Sequence, residues 1–402
     1  MTRTILSPGW IVDGRGGPPK AHHSLVLSGG LIEDVINTAS IGDTLEGKRV
    51  SLPGCTVLPG LVNSHAHFNL PANSPGPSDI SGDTEATLTL RSVENASLAL
   101  SAGVTTVRDC GSYRTTVIEL RDWQRRGLRD VPRIVCCGWS ITVSGGHGSR
   151  WGGEADGTTD VRRVTRQVVH AGADFVKVIG SGGGTPGTLS QYPTFTLDEL
   201  RVIVETAHAL GKPVAMHCTC RAAIELAIDA GVDFIEHALF TTAAVAPGFE
   251  PAIAERLAAR GVVVTPTLQL YRDAYDRTTD PAAKAEVARW RDVHREAVGA
   301  MFSLGVPILA GSDAGWRATR FDTFSRELEE LVECGLNPGQ AIEAATSRAS
   351  RAFGSDAYGA IERGRVADLL VVDGNVARDI RCLQRVVAVY LAGAKIRDFR
   401  EG

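Results

Sequence analysis

Short β-branched apolar runs alternate with amphipathic stretches through most of the chain, and this alternation constrains the fold more than any other feature. Eight such runs occur, at Thr56–Val62, Val104–Val107, Arg133–Cys136, Phe175–Ile179, Val214–Met216, Phe234–Ile235, Val262–Val264 and Pro307–Ala310. Helical patterns separate them, among them Thr84–Ser101, Val161–His170, Leu197–Leu210, Ala222–Ala230 and Ala283–Ser303. Repeated strand–helix units predict an α/β fold, a (β/α)8 TIM barrel. A doubly wound open sheet is the main alternative, but no GxGxxG follows the first strand.

The two ends of the chain carry a different pattern. Near the N-terminus, Ser24–Leu27 and Leu31–Ile36 flank Gly29-Gly30 and predict a hairpin. Near the C-terminus, Ala367–Val372 and Val386–Leu391 are again strand-like. We therefore expect a small β-sandwich domain formed by residues 1–56 and 358–402, and a (β/α)8 barrel domain at 57–357.

Composition excludes several classes of function. The 402 residues carry a net charge of −4, so there is no basic excess to attract nucleic acid or an anionic membrane. The eight cysteines are too sparse for a disulfide scaffold and lack zinc-ribbon spacing, which predicts reduced thiols. The sequence MTRTILSPGW lacks a signal-peptide pattern, and no apolar run approaches the roughly 20 residues of a membrane span. We expect a cytoplasmic protein that binds neither nucleic acid nor membranes.

Polar, chemically competent residues stand at the ends of five of the predicted strands. Active sites of barrels lie at the carboxyl ends of the strands, so these side chains are expected to meet. Neutral imidazoles and carboxylates bind divalent metals, and a lysine within an apolar strand is costly to bury as a charge. The pattern predicts a metal site formed by His65, His67, Lys177, His217, His237 and Asp313.

The motifs around these residues resemble the amidohydrolase superfamily. They are His65-Ala-His67, Val176-Lys-Val178, Met216-His217, Glu236-His237 and Gly311-Ser-Asp-Ala-Gly315, with the C-terminal segment 359–373. The resemblance covers nearly the whole chain and is strongest to the branch that contains imidazolonepropionase-like and Xaa-Pro dipeptidase (prolidase-like) enzymes. It implies two divalent metal ions, with zinc expected, joined by a carbamate on Lys177. By the same resemblance, one metal is held by His65, His67 and Asp313, and the other by His217 and His237.

The resemblance also implies the reaction. A hydroxide held between the metals attacks an amide-type C–N bond and Asp313 transfers its proton, with an N-acyl amino acid, a dipeptide-like amide, an aryl amide or a urea as substrate. Two alternatives stay open. Deaminases of cyclic amidines in this family usually work with one metal and lack the lysine, and non-catalytic assembly proteins on the same fold lose ligands. The family further implies that the chain can form a homo-oligomer.

Loop residues at the same end of the barrel are the candidate substrate contacts. His147, in Ser144-Gly-Gly-His-Gly, resembles a loop that this branch uses near the substrate, and it is a candidate catalytic residue at the carbonyl oxygen. The remaining candidates follow later strands and are expected to line the pocket or to bind an anionic end of the substrate. They are Tyr192, Arg221, Tyr271, Trp316 and Arg317.

Two positions depart from the pattern of the family. Asn63 stands where relatives often have aspartate, and we expect it to support the ligands. Arg320-Phe-Asp322 stands where dipeptidase-like relatives often have His-Gly. The second departure argues against a dipeptide as the substrate.

Overall fold

A computed structural model describes residues 3–42, 45–72, 80–127 and 130–399. Within these ranges the strands are β1 Thr4–Ile11, β2 Lys20–Ala21, β3 His23–Ser28, β4 Leu31–Asn37, β5 Lys48–Pro59, β6 Leu61–Ala66, β7 Val104–Asp109, β8 Arg133–Cys136, β9 Val176–Ile179, β10 Val214–Cys220, β11 Phe234–Thr241, β12 Val263–Thr265, β13 Leu369–Asp373, β14 Val386–Leu391 and β15 Ala394–Asp398. The α-helices are α1 Glu85–Ser101, α2 Thr116–Arg125, α3 Gly157–His170, α4 Leu197–Ala209, α5 Arg221–Ala230, α6 Pro251–Arg260, α7 Leu268–Arg277, α8 Pro281–Ser303, α9 Ser325–Glu333, α10 Pro338–Ala344 and α11 Ser347–Ala352.

Both ends of the chain join in one eight-stranded sheet. Its order is β15-β14-β13-β5-β1-β3-β4, with β2 paired to β1. The predicted hairpin is confirmed as β3 and β4, in which Ser24 pairs with Ile36. Leu25, Val57 and Val371 belong to one buried cluster that holds this sheet together. The terminal strands therefore pair as expected, while the two-domain division at residues 56 and 358 stays a prediction.

The middle of the chain forms two parallel sheets, β6-β7-β8 and β9-β10-β11-β12. Every strand pair within them is parallel. Parallel neighbours need crossover connections, which helices such as α1, α4 and α5 provide, so the fold is α/β. Helix α4 buries Leu200, Ile203 and Val204, which share one helix face by their spacing, and it begins with a capping box between Thr196 and Glu199.

The first predicted strand, Thr56–Val62, is in fact two strands, which corrects the sequence interpretation. Residues up to Pro59 complete β5 of the terminal sheet, and Leu61 begins β6 of a parallel sheet. Gly60 lies between them and packs directly on β7, where a Cβ atom would lie 2.1 Å from Thr105 Oγ1. The boundary between the two strands cannot be seen in the sequence, because both sheets bury the residues next to Gly60 and the apolar run is continuous.

The eighth predicted strand, Pro307–Ala310, is an extended segment with one isolated bridge, from Ile308 to Val264. Its backbone still links the margins of the two parallel sheets. On one side the Leu309 N–H donates to Val264 O at 2.9 Å, and on the other the Ser64 N–H donates to Ala310 O at 2.9 Å. At the opposite margins, the Asp174 N–H donates to Cys136 O at 2.8 Å. The two sheets are thus joined by hydrogen bonds at both of their edges.

Two further expectations concern the molecule as a whole. Free thiols are found at Cys110, Cys136, Cys137, Cys218, Cys220, Cys334 and Cys382. Among the described residues, no helix combines the length and the apolar character that crossing a lipid bilayer requires.

Candidate metal centre

One cavity collects the residues that the sequence places at the carboxyl ends of the parallel strands. All six predicted metal ligands line it, as do the candidate substrate contacts His147, Tyr271, Trp316 and Arg317. The other lining residues are Trp151, Ile179, Gly183, Gly184, Ser190, Thr219, Leu239 and Leu270.

His65, His67 and Asp313 form the tightest group in this cavity. The two Nε2 atoms lie 3.3 Å apart, and Asp313 Oδ1 lies 3.5 Å from His65 Nε2 and 3.3 Å from His67 Nε2. The His67 Nδ1–H donates to Gly111 O at 3.0 Å, which leaves the Nε2 lone pair directed at the group. Two imidazole nitrogens and a carboxylate oxygen at this spacing fit one divalent cation.

Asn63 connects the two segments that carry this group. Its Nδ2 donates to Ser312 Oγ at 2.7 Å, and its Oδ1 accepts from the backbone N–H of His65 at 3.2 Å and of Ser312 at 3.1 Å. The amide therefore ties β6 to the residue before Asp313.

His217 and His237 face this group from β10 and β11. Their ring centroids lie 4.5 Å apart, and the His237 ring lies 5.0 Å from that of His65. The His217 Nε2–H donates to Gly182 O at 3.3 Å, which leaves Nδ1 as the atom with a lone pair. His237 Nδ1 lies 2.8 Å from Thr267 Oγ1.

His237 and Asp313 both have backbone angles in the left-handed region, with φ of +71° and +57°. Such angles cost of order 1–3 kcal/mol in a residue other than glycine and are found where the surrounding structure imposes them. At His237 this conformation breaks the alternation of side chains along β11. The consecutive residues Glu236 and His237 can therefore both serve the same site.

Lys177 lies on β9 with 1% of its surface exposed. In the described part of the chain its Nζ is a buried atom without a hydrogen-bond partner. Burying an ammonium group without a partner is costly. The position of this nitrogen is therefore consistent with a ligand or a modification that binds at Nζ. Burial, reinforced by Lys177, holds the pKa of His65 well below its usual value, and burial does the same for His217 and His237. These rings are neutral, as metal ligands must be.

The wall above these residues is aromatic. His147 Nδ1 lies 2.8 Å from Thr185 Oγ1, and burial lowers the pKa of His147 to about 3, so its ring is neutral. Trp316 packs edge-on against it, with ring centroids 5.5 Å apart. Burial raises the pKa of Tyr271 to about 12, so its phenol keeps its proton at neutral pH.

Two predicted substrate contacts, Tyr192 and Arg221, lie outside this cavity. Tyr192 is 48% exposed, and Arg221 forms an ion pair with Glu250. Position after a strand locates a residue at the correct end of a sheet, but it does not set the direction of the side chain. Arg221 is the first residue of α5 and points to the residue before α6.

Several site residues have little or no sequence signal. Trp151 stacks on His67, with ring centroids 5.0 Å apart at 20°. His294, on α8, places Nε2 2.9 Å from His237 O. Glu236 is the one that sequence reasoning could have found, because it lies within the Glu-His motif of β11.

Buried histidines, an aspartate and a lysine that line one cavity beside parallel strands are typical of metal-dependent α/β hydrolases. Residues 56–396 match the model of the amidohydrolase family, and the chain belongs to that family. It is a hydrolase that acts on carbon–nitrogen bonds, and the family resemblance seen in its sequence is confirmed.

Particular relatives cover almost the whole chain. It is 27% identical over 427 residues to ochratoxinase from Aspergillus niger, which covers 96% of this chain and 84% of that protein. It is also similar to the crystal structure of a Xaa-Pro dipeptidase with bound methionine, with a TM-score of 0.85, 27% identity and coverage of 98% and 100%. A prolidase complexed with N-methylphosphonate-L-proline gives a TM-score of 0.84 at 27% identity, with 99% and 100% covered.

Proposed function

We propose that the protein is a binuclear metal-dependent amidohydrolase that hydrolyses an amide-type C–N bond of a small molecule. One observation carries the proposal: five ligand-competent side chains line one cavity with the unpartnered Nζ of Lys177. The hydrogen bonds at both edges of the parallel sheets support a closed (β/α)8 barrel around this cavity.

Two divalent ions, with zinc expected, are assigned to the donors present. His65, His67 and Asp313 would hold one ion, and His217 and His237 would hold the other. Lys177, carboxylated by carbon dioxide, would bridge them as an anionic carbamate. When bound, the ions would supply a water that ionises at neutral pH and would polarise the scissile carbonyl.

The remaining steps are assigned to residues of this chain. Asp313 takes the proton of the attacking water and delivers it to the leaving nitrogen. His147, which lines the cavity with a neutral ring, is assigned the contact with the carbonyl oxygen. Trp151 and Trp316 restrict the access of bulk water, and Arg317 is the candidate partner for an anionic end of the substrate.

The substrate class that we propose is an amide next to a carboxylate, as in an N-acyl amino acid. The names of the similar proteins, a dipeptidase, a prolidase and an ochratoxinase, support hydrolases of this general type. Aryl amides and ureas belong in the same test. We also propose a reducing, cytoplasmic location, supported by free thiols such as Cys110, Cys218 and Cys382, and a homo-oligomeric assembly.

Metal analysis tests the centre. Purified protein is expected to contain about two equivalents of metal per chain, and 13C-bicarbonate should label one carbamate carbon visible by NMR. Lys177→Ala should lose that signal, bind less metal and lose hydrolysis, whereas Lys212→Ala, outside the cavity, should match the wild type. One equivalent of metal with full activity in Lys177→Ala would refute the bridge.

Substrate screening tests the reaction. N-acyl amino acids, Xaa-Pro dipeptides, anilides, phenylureas and cyclic amidines are compared for product release. Asp313→Asn should keep the fold, as judged by circular dichroism, and should lose turnover of every substrate. Ammonia released from a cyclic amidine alone would favour a deaminase, and substantial turnover by Asp313→Asn would exclude its proton transfer.

A further inference from the structure

A buried ion pair lies behind the candidate metal centre, formed by residues that the reaction itself does not use. Arg108, on β7, places Nη1 2.8 Å from Glu236 Oε1. The other oxygen of the same carboxylate, Oε2, lies 2.7 Å from His65 Nδ1. Arg108 is 1% exposed, Glu236 0% and His65 1%, so the three side chains form a chain of contacts closed off from solvent.

The carboxylate decides which nitrogen of His65 carries the proton. A carboxylate oxygen can only accept, so Nδ1 must be the protonated nitrogen. The lone pair then lies on Nε2, the atom 3.3 Å from His67 Nε2 and 3.5 Å from Asp313 Oδ1. A proton on Nε2 would instead occupy the lone pair that is directed at His67 and Asp313.

Arg108 supplies the positive charge that allows Glu236 to be buried as a carboxylate. A buried carboxylate without a compensating charge is strongly disfavoured. The guanidinium lies 4.1 Å from the ring centroid of Phe175, 4.5 Å from that of Phe234 and 5.2 Å from that of Phe353. Three aromatic faces thus hold the cation beneath the carboxylate.

We propose that Glu236, held by Arg108, is the positioning residue that fixes the tautomer and orientation of His65 for metal binding. The inference rests on the proposed function, because it concerns a metal held by His65. Residues that accept a hydrogen bond from a ligating histidine typically contribute 10- to 100-fold to metal affinity.

Two double variants separate positioning from stability. Arg108→Met/Glu236→Leu and Arg108→Met/Glu236→Gln both remove the ion pair as a whole, so neither partner is left as an uncompensated charge. Replacing a buried ion pair by uncharged groups of similar volume is generally tolerated, so both variants are expected to fold. They differ in one respect: only the glutamine retains an oxygen that can accept from His65 Nδ1.

The readout is the metal affinity of the stripped protein, measured with zinc against a competing chelator. The leucine variant should bind zinc about 10- to 100-fold more weakly than the wild type, and the glutamine variant should recover most of that loss. Selective 15N labelling of histidine should show the Nδ1–H of His65 in the wild type and in the glutamine variant. The matched control is Glu330→Gln, which removes the charge of a buried glutamate that pairs with Arg291 and Arg295 outside the cavity. This variant should have the zinc affinity of the wild type.

Equal zinc affinity in the leucine and glutamine variants, at any level, would overturn the positioning role. So would a glutamine variant that binds zinc more weakly than the leucine variant. Failure of the proposed function looks different, because wild-type protein would then bind no zinc at this centre and the variants could not lower the affinity.

Discussion

Gly183 offers the sharpest test of whether His147 acts in catalysis. A Cβ atom at Gly183 would lie 2.4 Å from His147 Cδ2 and 2.6 Å from His147 Nε2. The φ angle of Gly183 is not in the left-handed region, so Gly183→Ala strains the contact with His147 and not its own backbone. Nonbonded carbon atoms pack best at about 3.5–4.0 Å, so the ring must retreat by about 1 Å.

A displacement of the His147 ring by about 1 Å gives an expected loss of kcat/KM. Misplacing a catalytic group by about 1 Å can cost about 100-fold, so Gly183→Ala should lower kcat/KM by about that factor. Stability should change less, by at most about 1–3 kcal/mol, which is the usual cost of overpacking. The assay is steady-state hydrolysis of the best substrate found, with urea unfolding measured in parallel.

A double-mutant cycle isolates His147 as the cause. In a His147→Ala background the clash is absent, so adding Gly183→Ala should cost almost nothing further. The control is Gly17→Ala, whose Cβ would have Asp13 Oδ2, at 4.0 Å, as its nearest described neighbour. Wild-type kcat/KM in Gly183→Ala, or an equal loss in both backgrounds, would refute the reasoning.

Two stability predictions come from residues around the centre. Burial raises the pKa of Glu327 from 4.5 to about 8, so between these values the unfolded chain releases a proton that the folded chain keeps. The unfolding free energy of the wild type should therefore fall as pH rises from 4.5 to about 8. The fall should be steeper than in Glu327→Gln by up to about 1.4 kcal/mol per pH unit. Equal pH slopes of the two proteins in urea unfolding would contradict this. His294→Phe removes the donor to His237 O, which should cost about 1–3 kcal/mol by the same assay. An unchanged value would show that this hydrogen bond contributes nothing.

Features encoded by local spacing could be predicted from the sequence. Helix α4 was expected at Leu197–Leu210 and occurs at Leu197–Ala209, because its buried face repeats with the period of a helix. The hairpin of β3 and β4 follows from the glycine pair between two strand-like runs. The metal-ligand candidates are found for a related reason: the carboxyl ends of parallel strands meet, so a residue's place along its own strand is enough to bring it to the cavity.

Features that depend on side-chain direction or on distant partners could not be predicted in this way. Tyr192 and Arg221 follow strands, as the residues that line the cavity do, but their side chains lie outside it. The sequence does not encode the direction in which the chain continues after each strand. The boundary at Gly60 is hidden because the residues on both sides of it are buried. His294 lies on α8, 57 residues after His237, and contacts the backbone oxygen of His237. No local sequence pattern encodes this contact.

The Glu-His motif of β11 is visible in the sequence, but the left-handed conformation of His237, which brings both of its residues to the centre, is not. Side chains alternate along a regular strand, so Glu236 and His237 would point to opposite faces, and Glu236 would be an ordinary buried acid in need of a partner. With φ at +71°, His237 turns toward His217 while Glu236 stays directed at His65. The strain at one residue therefore allows a single dipeptide to provide a candidate metal ligand, His237, and the hydrogen-bond acceptor of a second candidate ligand, His65.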